Sequence, residues 1–435
     1  MLPKFRHLAL TARMVTGRPF RRALIPAALL TAGLGVSAPA LAAVCPWVSA
    51  WGSSQMLPDA DNALPAEATR DVTLRQIVRP SIGGTGLRVR LSNAFGDTPL
   101  VIEAATLARA RAADKAGIDA RSLTPLRFSG NARVVIPPGA DWLSDPLDLP
   151  VRAFEDLAVS LHVQAMPQRQ TAHPGSRATS YWIAGDHVAD AELAAAKPID
   201  HWYLLSGIEA RACWAGAVVA LGDSITDGRG STTNGNDRWT DVLARRLAGS
   251  SAGSSAGVAA GRRAVINQGI GGNRVLLDGL GPNAMARLDR DVLALPGVTH
   301  LIVLEGINDL GVLTRDHPVS AAEHAAMVEQ ITGAYGQIVA RAHAKGIKVY
   351  GATLLPFMGM DYYHPGAVNE ADRQAINAWI RAPGNFDAVI DFDKVMRDPA
   401  RPDRLNPAYD VGDAIHPNPA GYKAMGEAIP LDLLR

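Results

Sequence analysis

From Gly216 to the C-terminus the chain alternates two patterns, and this constrains the fold more than any other feature. The runs AVVALG (217–222), AVINQG (264–269), THLIVLEG (299–306), IKVYGATLLP (347–356) and FDAVIDF (386–392) are apolar and rich in Val, Ile and Leu. Between them lie helical patterns such as RWTDVLARRL (238–247). A longer one ends at Gly346 and carries Met327, Ile331, Ile338, Val339 and Ala342 at helical spacing. Strand and helix in alternation predict a parallel sheet covered by helices. Ligands of such sheets bind at the carboxyl ends of the strands, so the residues that follow each strand carry the functional question.

The preceding segment has a different grammar. TLRQIVRPS (73–81), GLRVRLSNAFG (86–96), LVIEAATLARA (100–110), ARVVIPPGA (132–140) and DLAVSLHVQ (156–164) are short alternating runs bounded by Gly, Pro, Asn and Asp. They predict an antiparallel β-sandwich. In GLRVRL, Leu87, Val89 and Leu91 alternate with Arg88 and Arg90, one face buried and one wet. Trp47, Trp51, Trp142, Trp182 and Trp202 are scattered and form no concentrated carbohydrate-binding patch.

The first 42 residues differ from both parts. Lys4, Arg6, Arg13, Arg18, Arg21 and Arg22 are unbalanced by any acid, and an Ala-rich apolar run closes with Ala40-Leu41-Ala42. This is the form of a secretory signal peptide, and the expected destination is periplasmic or extracellular. The alternative, an uncleaved membrane anchor, is disfavoured by Pro26, Gly33, Gly35 and Pro39 within the run. Of 43 basic side chains 37 then remain against 42 acidic ones, a net charge of −5. A mildly acidic protein is a poor nucleic-acid ligand, and no later stretch is apolar and long enough to span a bilayer. The expected organisation is a signal peptide (1–42), a β-sandwich domain (43–214) and an α/β domain (215–435). The chain has two cysteines, Cys45 and Cys213. In an oxidising compartment they are expected to pair, two free buried thiols being the alternative.

Three strand ends and one C-terminal loop carry chemistry. The first strand runs into Gly222-Asp223-Ser224, the second into INQGIGGNR (266–274), the third into EGIND (305–309). Near the C-terminus, GDAIHPNPAGY (412–422) places Asp413 three residues before His416. Acyl transfer to a serine needs a base within hydrogen-bond reach, a group that orients the base, and donors aimed at the oxyanion. Ser224, His416 and Asp413 fit the first two needs. The amide N–H groups of Ser224 and Gly272 and the Asn308 side chain fit the third. Asp223 and Asp227 read as turn-stabilising residues, and Glu305 as structural.

These residues resemble the SGNH or GDSL-type esterases and lipases. GDSITDG, NQGIGGN, GIND and DAIHP are similar to four blocks of that family. The resemblance implies Ser224 as nucleophile, Gly272 and Asn308 as oxyanion donors, and His416 with Asp413 as base and orienting carboxylate. It also implies a three-layer α/β/α, flavodoxin-like fold with a five-stranded parallel sheet in order 2-1-3-4-5. The first block carries Ile225 where the family name has leucine. No cofactor or metal is expected. A metal-dependent phosphoesterase using Asp223, Asn308, Asp413 and His416 is the weaker alternative, as such centres usually gather more His and Asp.

Ester substrates with short acyl groups are expected, including O-acetyl groups on polysaccharides, because no long apolar lid is evident. A lipase or aryl esterase, an acyltransferase with the same site, and a carbohydrate-binding protein acting through the front domain are the alternatives. Tyr362 and Tyr363, in the loop FMGMDYYHPGA (357–367), are candidates to stack on a sugar or shield an acyl group, or simply to pack the loop. The repeated Gly-x-Ser-x-Gly in AGSSAGSSAG (248–257) lacks the leading strand a nucleophile elbow requires and reads as a surface loop.

Overall fold

The computed structural model describes residues 45–213, 215–251 and 262–434. The expected signal peptide and residues 252–257 of the Gly/Ser/Ala-rich stretch lie outside the described residues. Two antiparallel sheets form the front of the chain. The first has four strands in the order Trp47–Gly52, Leu205–Arg211, Leu87–Ser92 and Asp141–Leu143. The central strands of the second are Ser180–Ala184, Arg70–Val78, Leu157–Ala165 and Leu100–Arg109. Leu87, Val89 and Leu91 are fully buried, as period-2 alternation requires. Arg88 and Arg90 are only half-buried, because both pair with Glu209 on the neighbouring strand. The face read as wet is therefore partly covered by an ion-pair cluster.

The parallel sheet contains β1 (Ala215–Gly222), β2 (Arg262–Gly269), β3 (Val298–Leu304), β4 (Lys348–Ala352) and β5 (Ala388–Ile390). Its order is 2-1-3-4-5, with every neighbouring pair parallel. The helices include α1 (Ser224–Asp227), α2 (Trp239–Ser251), α3 (Ile307–Arg315), α4 (Ala321–His343), α5 (Ala367–Arg381) and α6 (Pro419–Ala428). The fold is a three-layer α/β/α, flavodoxin-like unit preceded by a β-sandwich. Strand order reverses at β1, which makes its carboxyl end the switch point where ligands bind.

The two parts share one apolar core. Val48 and Ala50 of the first sandwich strand belong to the same buried cluster as Ala217 of β1 and Ile266 of β2. The outer edge of β2, which would otherwise present unpaired backbone groups, is met by Ser81 of the sandwich. The Val265 amide donates to Ser81 Oγ (2.9 Å), and that hydroxyl donates to the Val265 carbonyl (3.2 Å). A disulfide joins Cys45 to Cys213, with Cα atoms 4.5 Å apart. Among the described residues no helix is long and apolar enough to cross a membrane.

Candidate active site

β1 stops at Gly222, and Asp223 caps the short α1, its Oδ1 accepting from the Ile225 amide at 2.9 Å. Ser224 thus opens α1 at the carboxyl end of the switch-point strand and is almost wholly buried. The loop before α6 is tied down by Asp410, whose carboxylate accepts from the amides of Gly412, Asp413 and Ala414. Asn418 then caps α6, with Pro419 as its first residue. This loop brings His416 Nε2 to 2.8 Å from Ser224 Oγ.

Asp413 holds the other side of the ring. Its Oδ2 accepts from His416 Nδ1 at 2.6 Å, and its Oδ1 accepts from the His416 amide at 2.9 Å. Burial opposes the Asp413 charge, but hydrogen bonds from the His416 ring and backbone and from the Ile415 amide outweigh it, drawing the carboxyl down to about 2. Asp413 is therefore a carboxylate at any working pH. A proton on Nδ1 facing it leaves the Nε2 lone pair towards the serine hydroxyl, the arrangement a general base needs.

Gly272 and Asn308 follow β2 and β3. Gly272 has φ +73°, a left-handed conformation that favours glycine, and its open face is covered by the Leu280 side chain. Asn308 lies in the first turn of α3. Its Nδ2 donates to the Asn273 carbonyl (2.8 Å), and its Oδ1 accepts from the Tyr363 hydroxyl (2.8 Å). These bonds fix which end of the amide is nitrogen and leave one N–H to spare. Tyr362 and Tyr363, the candidates for substrate contact, both line the cleft that holds Ser224, and Tyr363 is largely buried with its hydroxyl on Asn308. Tyr362 is the exposed member of the pair, its hydroxyl accepting from Arg315 Nη1 at 2.7 Å.

A layer beneath these residues was not visible in the sequence. The Arg287 guanidinium is fully buried and donates to the carbonyls of Gly222 (3.0 Å) and Gln268 (2.6 Å), which end β1 and β2. It also donates to Asn273 Oδ1 (2.9 Å) and to Ser54 Oγ in the sandwich (3.0 Å). Asp309 accepts from the Val275 and Leu276 amides, tying the loop after Gly272 to α3. Burial pushes Asp309 up to about 6 and, with nearby charges, Asp223 up to about 7. Glu305 is driven well above the usual range by burial and by Asp223.

Ser224 opens into a cleft of about 620 Å³ with two unlike walls. Ile270, Leu280, Met360 and Ile415 line it from the α/β unit, whereas Asn62, His173, Arg177 and His201 come from the sandwich. Asp227, read as a turn residue, reaches across this boundary: its Oδ1 is 3.0 Å from His173 Nε2, and both are buried. His173 Nδ1 donates to the Ser54 carbonyl (2.8 Å), so the ring is held between the sandwich and α1. No signal in the sequence linked positions so far apart. Among the described residues no group of three or more His, Cys, Asp or Glu converges to hold a metal ion.

The sequence signature of the GDSL-like lipase/acylhydrolase family matches residues 220–424. No curated protein matches the chain. Among solved structures, a GDSL-like lipase from Bacteroides thetaiotaomicron is 19% identical, covering 49% of this chain and 84% of its own, with a TM-score of 0.35. An acetyl xylan esterase is 19% identical over 49% of this chain and 96% of its own (TM-score 0.35). The inhibitor-bound aryl esterase of M. smegmatis is 16% identical over 51% of this chain and 100% of its own (TM-score 0.37).

Proposed function

Because residues 220–424 make this chain a member of the GDSL-like lipase/acylhydrolase family, and so a carboxylic ester hydrolase, we propose that it cleaves short-chain esters through an acyl-enzyme on Ser224. The observation that carries this reading is the unbroken hydrogen-bond chain Ser224–His416–Asp413. Ser224 Oγ attacks the ester carbonyl as its proton passes to His416 Nε2, and Asp413 stabilises the imidazolium formed. The oxyanion is met by the Ser224 and Gly272 amides and the spare N–H of Asn308. Collapse of the intermediate expels the alcohol, protonated by His416, and leaves the acyl group on serine. Water, deprotonated by His416, then releases the acid.

The mixed lining of the cleft supports a small acyl group joined to a polar alcohol, such as an O-acetyl group on a polysaccharide. The basic and then apolar N-terminal segment supports export to the periplasm or beyond, with 43–214 and 215–435 as the two mature domains. The test is hydrolysis of p-nitrophenyl acetate, butyrate and palmitate by the unaltered protein and by Ser224→Ala. Acetate turnover is expected to fall by at least about 10⁴-fold in the variant and to ignore chelator. Equal rates in both proteins, or loss with chelator, would exclude the serine mechanism.

A further inference from the structure

The sandwich segment His173–Arg177 (HPGSR) is a part of the cleft wall that the proposed reaction does not use. His173 is anchored to Asp227, one turn from Ser224. Gly175 lies so close to the Asp227 carboxylate that a Cβ would come within 1.7 Å of Oδ2. Ser176 Oγ is 2.8 Å from the carbonyls of Ala178 and Asp200, and the Ser176 carbonyl accepts from Arg238 Nη2. Next, Arg177 adopts φ +49°, a left-handed conformation that costs a non-glycine residue about 1–2 kcal/mol. Its carbonyl accepts from the Asn234 amide (2.9 Å), and Asn234 Oδ1 accepts from the Thr179 amide (2.8 Å). The strained turn is therefore held from both domains.

The Arg177 side chain is left without a partner by this framework. It lines the Ser224 cleft half-buried, its Nε is buried with no hydrogen bond, and no carboxylate among the described residues lies within ion-pair distance. Arg229, just past α1, lines the same cleft and is likewise without a carboxylate partner. The acidic residues of the cleft are engaged elsewhere. Asp59 accepts from the amide and side chain of Asn62, Asp200 accepts from Thr179 Oγ1, and Asp227 is bonded to His173. A buried donor without an acceptor costs about 1–3 kcal/mol. A guanidinium presents paired donors that match a carboxylate.

We propose that Arg177, with Arg229 on the same cleft, binds a carboxylate carried by the alcohol half of the ester. The proposal rests on the serine-hydrolase reading above. In that reaction the carbonyl carbon lies between Ser224 Oγ and the donors at Gly272 and Asn308, all on the α/β side. We place the leaving alcohol, which takes its proton from His416, in the remainder of the same cleft, where Arg177 stands on the sandwich wall. Substrates of this class are acyl esters of hydroxy acids or of uronic-acid sugars, in contrast to esters of neutral sugars or simple phenols. Asn62 supplies an uncharged polar contact on that wall, and the wall's carboxylates, Asp59 and Asp200, are bonded to Asn62 and Thr179.

The test compares kcat/KM for 4-acetoxybenzoate and phenyl acetate, which share an acyl group and differ in a carboxylate on the alcohol. The full chain is expected to favour the charged ester by about tenfold or more, and Arg177→Asn to lower that ratio by about tenfold. Asparagine tolerates the left-handed backbone and so isolates the loss of the guanidinium. Arg177→Lys should keep part of the preference, since it retains the charge without the planar fork. Inhibition of the unaltered protein by 4-hydroxybenzoate, but not by phenol, and its weakening by salt give the same answer without substitution. A ratio near one in the unaltered protein, or one left intact by Arg177→Asn, overturns the proposal. Failure to hydrolyse either ester instead removes the hydrolase reading on which it depends.

Discussion

At the scale of single residues, the proposed site depends on second partners that hold each reacting group in one orientation. Asn308 is the clearest case, because an amide can stabilise an oxyanion only through its nitrogen, and Tyr363 decides which end faces the cleft. Asn308→Ala is expected to lower kcat by about 10²–10³, the usual cost of one oxyanion donor. Tyr363→Phe keeps the ring and removes only the bond to Oδ1, so a smaller loss in kcat, about tenfold, is expected, with little change in KM. Steady-state kinetics on p-nitrophenyl acetate separates the two, and a Tyr363→Phe effect confined to KM would instead assign the hydroxyl to substrate binding. Ser224, Gly272, Asn308 and His416 were legible because each sits at a strand end or beside a helix cap. The orienting role of Tyr363 was not, since a hydroxyl 55 positions from its acceptor leaves no local pattern.

At the scale of elements, the strands of the parallel sheet and most of those in the sandwich were readable from alternation and turn residues. What gathers the ends of β1 and β2 was not, because Arg287 and Ser54 lie 233 positions apart and no motif marks either of them. Burial around this layer has a measurable consequence. Asp223 and Asp309 are raised to about 7 and about 6, whereas in the unfolded chain such groups titrate near about 4. Between those values the folded protein holds protons that the unfolded chain has released. The resulting stabilisation is complete below about pH 4 and is lost as pH rises through 6 and 7. Asp223→Asn keeps an oxygen for the Ile225 amide and carries no charge, so its urea-unfolding free energy should fall less between pH 4.5 and 7.5 than that of the unaltered protein. Parallel pH profiles for the two proteins would assign the slope to other groups.

At the scale of the whole molecule, the sandwich and the α/β unit share core and cleft, and a disulfide closes the sandwich on itself. The Cys45–Cys213 bond spans 168 residues of sequence, enclosing the sandwich in one loop. Cross-linking a loop of this length restricts the unfolded chain strongly, and its loss is expected to cost about 2–5 kcal/mol. Replacing both cysteines with serine should lower the unfolding temperature while leaving esterase activity at 25 °C, because neither cysteine lines the cleft. Thermal melts with and without reductant check this, and a melt indifferent to reductant would show that packing alone holds the segment around Cys45.

The hydroxyl of Ser81 against Val265 also bears on how the chain is made. Every strand of the sandwich precedes β1 in sequence, and synthesis proceeds from the N-terminus. The segment that seals β2 therefore emerges before Arg262–Gly269, and where the sandwich folds first this border strand of the parallel sheet finds its cover waiting. A strand that reached its place first would offer open backbone groups to any other nascent chain. The order of the two parts along the polypeptide thus acts as a built-in safeguard against intermolecular pairing, one that a circular permutant with the sandwich last would forgo.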